Sequence, residues 1–270
     1  MANIAISNTP KTNMVKTKIT KYSLAIIMAL MSIVTHAETV MEKKATKTST
    51  FLYGVGVSSS GQIYKGYSQR TMLLPLIGYK SQNLTVFGPF ISYKVKTMDD
   101  FSFSLKLSPR FQGYNQSDSD IFKGMKKRKT SLDAGFEINY KKENWALNFS
   151  SMFDTLNRSN GYEIKSVISR KYRIGPVFIE PSISASFLDS HLVDYYYGVS
   201  EDEVNSLRSA YHGQGSTNLG IGLSVSTPLF FGGFTRMNIQ QLWFDNNITD
   251  SPLVDGKSTF SIQLFFTKNF

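Results

Sequence analysis

The 270-residue chain has no cysteine, so disulfide cross-links, thiolate metal sites and thiol catalysis are all excluded. Its three histidines leave little material for an imidazole metal centre. Beyond residue 37 no apolar run reaches the roughly 20 residues that a transmembrane helix needs. Acidic residues are also scarce, 20 against 30 lysines and arginines, which gives a formal charge of +10. Removing the four lysines of the acid-free first 37 residues leaves +6, and most of that is scattered along the chain. A nucleic-acid partner, which needs its charge on one face with interleaved aromatics, is not supported.

What the chain does have is aromatic and alternating. Hydrophobic residues make up 41% and aromatics 13%, yet mean hydropathy is only -0.18. Tyr and Phe are therefore interleaved with Ser, Asn, Thr and Lys, a strand-rich pattern.

The amino terminus has the form of an export address. Lys16, Lys18 and Lys21 precede an apolar run from Leu24 to Val34, and Thr35-His36-Ala37 supplies a small-residue cleavage site. The run is too short for a convincing anchor. Residues 1–37 are thus expected to be a signal peptide. Met14 by itself begins a complete signal, which makes residues 1–13 dispensable to that reading. Residues 38–50 read as a polar, flexible lead-in, and 51–270 as the folded domain.

Within that domain side chains alternate with period two. Leu219, Ile221, Leu223 and Val225 share one face, and Asn218, Gly220, Gly222 and Ser224 the other. Phe101, Phe103, Leu105 and Leu107 repeat the pattern, as do Leu132 to Tyr140, Trp145 to Phe149 and Val177 to Phe187. A soluble sandwich also alternates. Small polar residues on one face and aromatic ends on the other favour a membrane barrel. Short connections at Lys80 to Asn83, Lys141 to Asn144, Arg173 to Pro176 and Phe231 to Gly233 alternate with long polar ones, as periplasmic turns alternate with outer loops. Keeping that parity requires a short hairpin between Leu84 and Asp99, placed at Gly88-Pro89. The expected fold is all-β: a closed antiparallel transmembrane barrel of about 12 strands, or 10 if the hairpin fails.

The last strand sets Phe260, Ile262, Leu264, Phe266 and Phe270 against Thr259, Ser261, Gln263, Thr267 and Asn269. A chain ending so resembles the signal by which bacterial outer-membrane barrels engage their assembly machinery, with Phe266 and Phe270 as its expected aromatics. Ile63-Tyr64-Lys65-Gly66-Tyr67, Leu74-Pro75-Leu76 with Tyr79, Asp194-Tyr195-Tyr196-Tyr197-Gly198-Val199-Ser200 and Asp250-Ser251-Pro252-Leu253-Val254 follow in order along the chain. Together they resemble the MipA/OmpV family of outer-membrane proteins. That resemblance implies a Gram-negative outer-membrane location. It also implies a scaffold that brings a murein lytic transglycosylase together with a murein synthase.

Chemical motifs are few. His191 and His212 lie in one outer segment with Asp189, Ser190, Asp194 and Ser209, so a hydrolase triad is conceivable, but no nucleophile-elbow motif is present. Glu201, Asp202 and Glu203 could hold a cation weakly or form a solvated loop. Gly54-Val55-Gly56 lacks the third glycine of a dinucleotide site and reads as strand glycine. No cofactor, catalytic residue or metal ligand is expected, and the chain is not expected to be an enzyme.

Lys123, Lys126, Lys127, Arg128 and Lys129 form the one basic cluster. On an outer loop it is expected either to contact lipopolysaccharide phosphates and outer-membrane lipid or to be a solvated tip. Asp133, Glu137, Glu163, Lys165, Glu180 and Arg236 point inward on the alternation. They would either line a small pore, making the chain a solute channel, or pair across a packed lumen.

Overall fold

The computed structural model describes residues 49–229 and 232–270. The signal peptide, and the lead-in up to residue 48, lie outside the described residues. Thr50, placed at the end of the lead-in, instead opens the first strand.

Alternation with period two becomes a continuous antiparallel sheet. Its strands are β1 (Thr50–Tyr64), β2 (Tyr67–Lys80), β3 (Leu84–Phe87), β4 (Phe90–Met98), β5 (Phe101–Arg110), β6 (Ser131–Lys142), β7 (Trp145–Asp154), β8 (Tyr162–Arg170), β9 (Tyr172–Ile174), β10 (Val177–Leu188), β11 (Ser216–Leu229), β12 (Gly233–Trp243) and β13 (Ser258–Asn269). Sequential strands pair, except that β8 and β9 both pair with β10, and β1 pairs with β13, so the sheet closes into a barrel. Among the described residues no helix is long and apolar enough to cross a membrane.

Thirteen strands make a twelve-stave barrel because β8 and β9 form one stave. Ser169 faces Ser182 and Tyr172 faces Ile179 in the same register, so no residue is inserted between them. The break falls across from Pro181, which has no N–H to donate. The Lys171 amide instead donates to the Asn144 carbonyl at 2.8 Å. The expected hairpin at Gly88-Pro89 is present, and the count of twelve holds.

Proline marks where pairing stops. Pro75 lies past the β2–β3 pairing, which ends at Gly78, and Pro109 lies past Leu107, the last β5 residue paired with β4. Pro228 lies past the last β10–β11 pair, Phe178 with Ser226. Each proline therefore has an edge where no donor is needed. The short β3–β4 hairpin leaves a notch in the wall, with upper β2 on one side and the top of β5 on the other.

The outward face is apolar: Leu73 is 69% exposed, Ile77 75% and Ile183 60%. Ser58, Ser104, Ser186 and Asn218 are buried on the inward face. Aromatics ring the short-turn end, where Tyr53 meets Phe270 at 4.7 Å and Phe101 meets Tyr140 at 4.6 Å, as an interfacial girdle does.

The opposite end carries the long connections, 111–130, 155–161, 189–215 and 244–257. Two connections there are tight turns rather than long loops, Lys65-Gly66 and Gly88-Pro89. Gly66 at φ +68° and Gly88 at φ +56° supply the left-handed backbone that such turns demand. The principal hydrophobic core lies in this end of the molecule. It includes Ile63, Tyr64, Tyr114, Phe122, Leu192, Val193, Tyr196, Ile248 and Leu253.

Candidate functional site

The loop core is a lid. Its centre is helix α1 (Ser190–Tyr197), started by Asp189, whose side chain accepts from the Leu192 amide at 3.1 Å. Leu192, Val193, Tyr196 and Tyr197 are buried. Tyr197 stacks on Tyr64 with centroids 5.4 Å apart, and Tyr114 stacks on Phe122 at 3.9 Å. Tyr64 reaches both Tyr114 and Phe122 edge-on. Each large side chain so buried stabilises the lid by roughly 1.5–3 kcal/mol. Burial raises the phenol pKa of Tyr114, Tyr196 and Tyr197, so all three stay neutral.

Polar contacts tie the loops together where apolar packing ends. Tyr64 donates to the Tyr196 carbonyl at 3.2 Å, and Ser251 to the Tyr197 carbonyl at 2.6 Å. The Lys65 amide donates to the Leu253 carbonyl at 2.9 Å. Arg208, 3% exposed, donates to the carbonyls of Glu203, Ile121 and Lys123 at 2.7–2.8 Å. Arg128 forks onto Glu203 at 2.7 and 3.0 Å. Burial works against the Glu203 charge, but the Arg128 and Lys126 hydrogen bonds hold its pKa below the ordinary value. Three of the four phrases that carried the family resemblance meet here, through Ile63 and Tyr64, Tyr196 to Val199, and Leu253 and Val254.

Beneath the lid lies a cavity of about 310 Å³, lined by Ser60, Arg110, Glu163, Tyr197, Gln240 and Ser261 among others. Three of the six inward charges read from the alternation, Asp133, Glu137 and Glu163, form ion pairs. Lys106 meets Glu137 at 2.6 Å, and Arg110 meets Asp133 at 2.7 Å and Glu163 at 2.8 Å. Glu180 accepts from Ser169 at 2.8 Å, and Arg236 donates to Asn238 and Ser224. Lys165 has no ion pair among the described residues.

The basic cluster is divided. Lys123 meets Asp120 and Lys126 meets Asp202, each at 2.7 Å, while Arg128 is committed to Glu203. Lys127 and Lys129 keep their charge free of acids among the described residues. Two of the acids weighed as a cation site, Asp202 and Glu203, thus face the chain's own cations. His191 lies 3.0 Å from Asp189, and His212 lies 3.8 Å from Asp194. Both carboxylates also accept backbone amides, Asp189 from Tyr162 and Asp194 from Gly213, so they hold the lid in shape. Phe270 is 85% exposed beside Tyr53, and Phe266 pairs with Val55 in the closing seam. Gly54 and Gly56 lie in that seam as strand residues.

Residues 53–270 match the family described as MltA-interacting protein MipA. The chain belongs to that family. The MltA-interacting protein of Escherichia coli K12 is 26% identical over 259 residues, covering 94% of this chain and all of the relative. Outer membrane protein Omp26La of Vibrio anguillarum is 23% identical over 210 residues, and outer membrane protein OmpV of Vibrio cholerae 22% over the same length. Each covers 77% of this chain and 82% of the relative. Among solved structures, an outer membrane channel from Pseudomonas putida F1 overlaps 86% of this chain and 99% of its own. Its TM-score is 0.42 at 8% identity, a distant likeness on which no functional reading rests. This MipA-family barrel is an outer-membrane protein.

Proposed function

We propose that this barrel is a non-enzymatic scaffold of the cell envelope, holding a murein lytic transglycosylase beside a murein synthase at the peptidoglycan. The observation that carries the reading is the packing of the outer loops into one buried cluster. A wide pore is favoured by loops that stand apart, whereas here Tyr64, Tyr114, Phe122, Tyr196 and Tyr197 pack into one buried cluster above a lumen in which Lys106 pairs with Glu137 and Arg110 with Asp133 and Glu163. A barrel with its outer loops packed together can act through its surface. The full-length match to a relative named for an interaction supports that class of function.

Enzymes of the murein layer would meet the short-turn end. There the Lys171 amide bonds the Asn144 carbonyl and brings two turns side by side. Those turns and their flanks carry Lys141, Lys142, Lys171 and Arg173 with the single acid Glu143, while the Lys141 amide bonds the Asp100 carbonyl of the adjoining Asp99-Asp100 turn at 2.8 Å. Arg170 lies 5.2 Å from both the Trp145 and Tyr172 rings, an anchor at the membrane interface. A basic rim of this kind suits a partner with an acidic face.

The test is capture of the tagged mature protein from mildly crosslinked envelopes, with copurifying proteins identified by mass spectrometry. Recovery of a lytic transglycosylase or murein synthase above an unrelated-barrel control is the expected result. Recovery of neither, together with discrete conductance steps from the folded barrel in a planar bilayer, would replace the scaffold with a channel.

A further inference from the structure

We propose that a cationic pocket at the outer rim, formed by Arg70, Lys127, Lys129 and Arg158, binds the phosphates of an outer-leaflet phosphorylated glycolipid. The pocket has a volume of about 560 Å³ and collects residues from three separate parts of the chain. Arg70 comes from β2, Lys127 and Lys129 from the 111–130 loop, and Arg158 from the 155–161 loop. Arg128 also lines it but is neutralised by Glu203. Among the described residues no carboxylate lines the pocket and none of the four named cations forms an ion pair. Four like charges gathered without a counter-charge repel one another and call for an anion.

Arg158 supplies an independent sign. Its Nε is buried with no hydrogen-bond partner, and a buried donor left unmade is destabilising unless a ligand or solvent satisfies it. A phosphate oxygen is a suitable acceptor for guanidinium and ammonium groups, because both partners are charged.

The wall beside the pocket favours a lipid over a soluble phosphate. Arg70, on the inward face of β2 and shared with the cavity beneath the lid, donates to the carbonyls of Phe111 and Gly113 and so bridges the top of the notch between β2 and the chain leaving β5, with the outward Thr71 beside it in the pocket. Lower on the same strand, Leu73, Pro75 and Ile77 point outward, and that stretch of β2 has no neighbouring strand on the notch side. Pro109 stands on the opposite edge. Charge above an exposed apolar edge matches a phosphorylated headgroup with acyl chains beneath it. A free phosphate would use only the upper half.

The folded mature barrel in neutral detergent would be titrated with bis-phosphorylated lipid A and the bound fraction read by native mass spectrometry. Wild type is expected to bind it at least tenfold more tightly than fully dephosphorylated lipid A, with affinity falling as salt rises. The triple variant Lys127→Gln, Lys129→Gln, Arg158→Gln is expected to weaken binding at least tenfold. Lys123→Gln with Lys126→Gln, outside the pocket, should leave it unchanged. Heat-modifiable gel migration reports whether each variant is folded. Equal wild-type binding of phosphorylated and dephosphorylated lipid overturns the proposal without recourse to any variant. Displacement of lipid A by an equal concentration of inorganic phosphate also overturns it, by assigning the site to a soluble anion.

Discussion

Replacing Glu203 with Gln should loosen the lid while leaving the barrel closed. Glu203 is 2% exposed and accepts two bonds from the Arg128 guanidinium, one from the Lys126 amide at 2.8 Å and one from the Ser200 amide at 3.3 Å. Gln keeps the shape and one acceptor but removes the charge. The Arg128 side chain, only 10% exposed, is then left in the protein without its counter-ion. Breaking a buried pair from one side costs about 3–5 kcal/mol. The remaining bonds from Arg128 to the Tyr195 and Lys126 carbonyls place the expectation at the lower end. About 3 kcal/mol corresponds to a rise of roughly a hundredfold in local opening.

Hydrogen exchange reads this directly at the amides of Tyr114, Arg128, Val199 and Tyr211, which close the 111–130 and 189–215 loops that the ion pair joins. Ile221 and Leu223 in the β10–β11 ladder serve as unperturbed references. Acceleration of the lid amides by less than threefold, with the references unchanged, would refute the idea that this ion pair fastens the lid.

The same pair sets a pH dependence. The folded pKa of Glu203 is depressed, so its contribution is full above the unfolded value of about 4.3 and is lost as pH falls through the folded one. Near-UV circular dichroism of the lid tyrosines should therefore hold between pH 5 and 8, on the order of that window, and decline only below about pH 4. Gly54→Val tests closure of the barrel, since a Cβ there runs into the Phe266 carbonyl across the β1–β13 seam. A loss of about 3 kcal/mol and of the compact heat-modifiable band is expected; unchanged migration and urea midpoint would contradict the seam. Phe270→Ser removes the exposed terminal ring beside Tyr53 and is expected to lower outer-membrane levels several-fold on immunoblots of fractionated envelopes. Wild-type levels would strip Phe270 of its part in the assembly signal.

The barrel was legible in sequence because lipid and lumen impose opposite chemistry on alternate residues. Leu219 and Ile221 against Gly220 and Gly222 already contain the wall; parity demanded a hairpin between Leu84 and Asp99, and the Gly88-Pro89 pair offered the turn. The lid was not legible. Its buried residues arrive from separate loops with no common period, so Tyr114, Phe122 and Ile248 look like stray apolar residues in polar segments. The partial signal was the run of three tyrosines after Asp194, dense in apolar area for a solvated loop. The basic cluster was visible, but its division was not. Pairing Lys126 and Arg128 with Asp202 and Glu203 joins residues more than 70 positions apart. Arg70 and Arg158 reach the same pocket from elsewhere still, and a single isolated arginine carries no pattern.

The scaffold claim is tested most directly by reconstitution. The folded mature barrel in detergent micelles would be mixed with a purified lytic transglycosylase and a purified murein synthase, and the mixture resolved by sedimentation velocity. The account predicts a ternary species that requires the barrel and is lost when Lys141, Lys142, Lys171 and Arg173 are reversed to Glu. Identical sedimentation of the two enzymes with and without the barrel would contradict it.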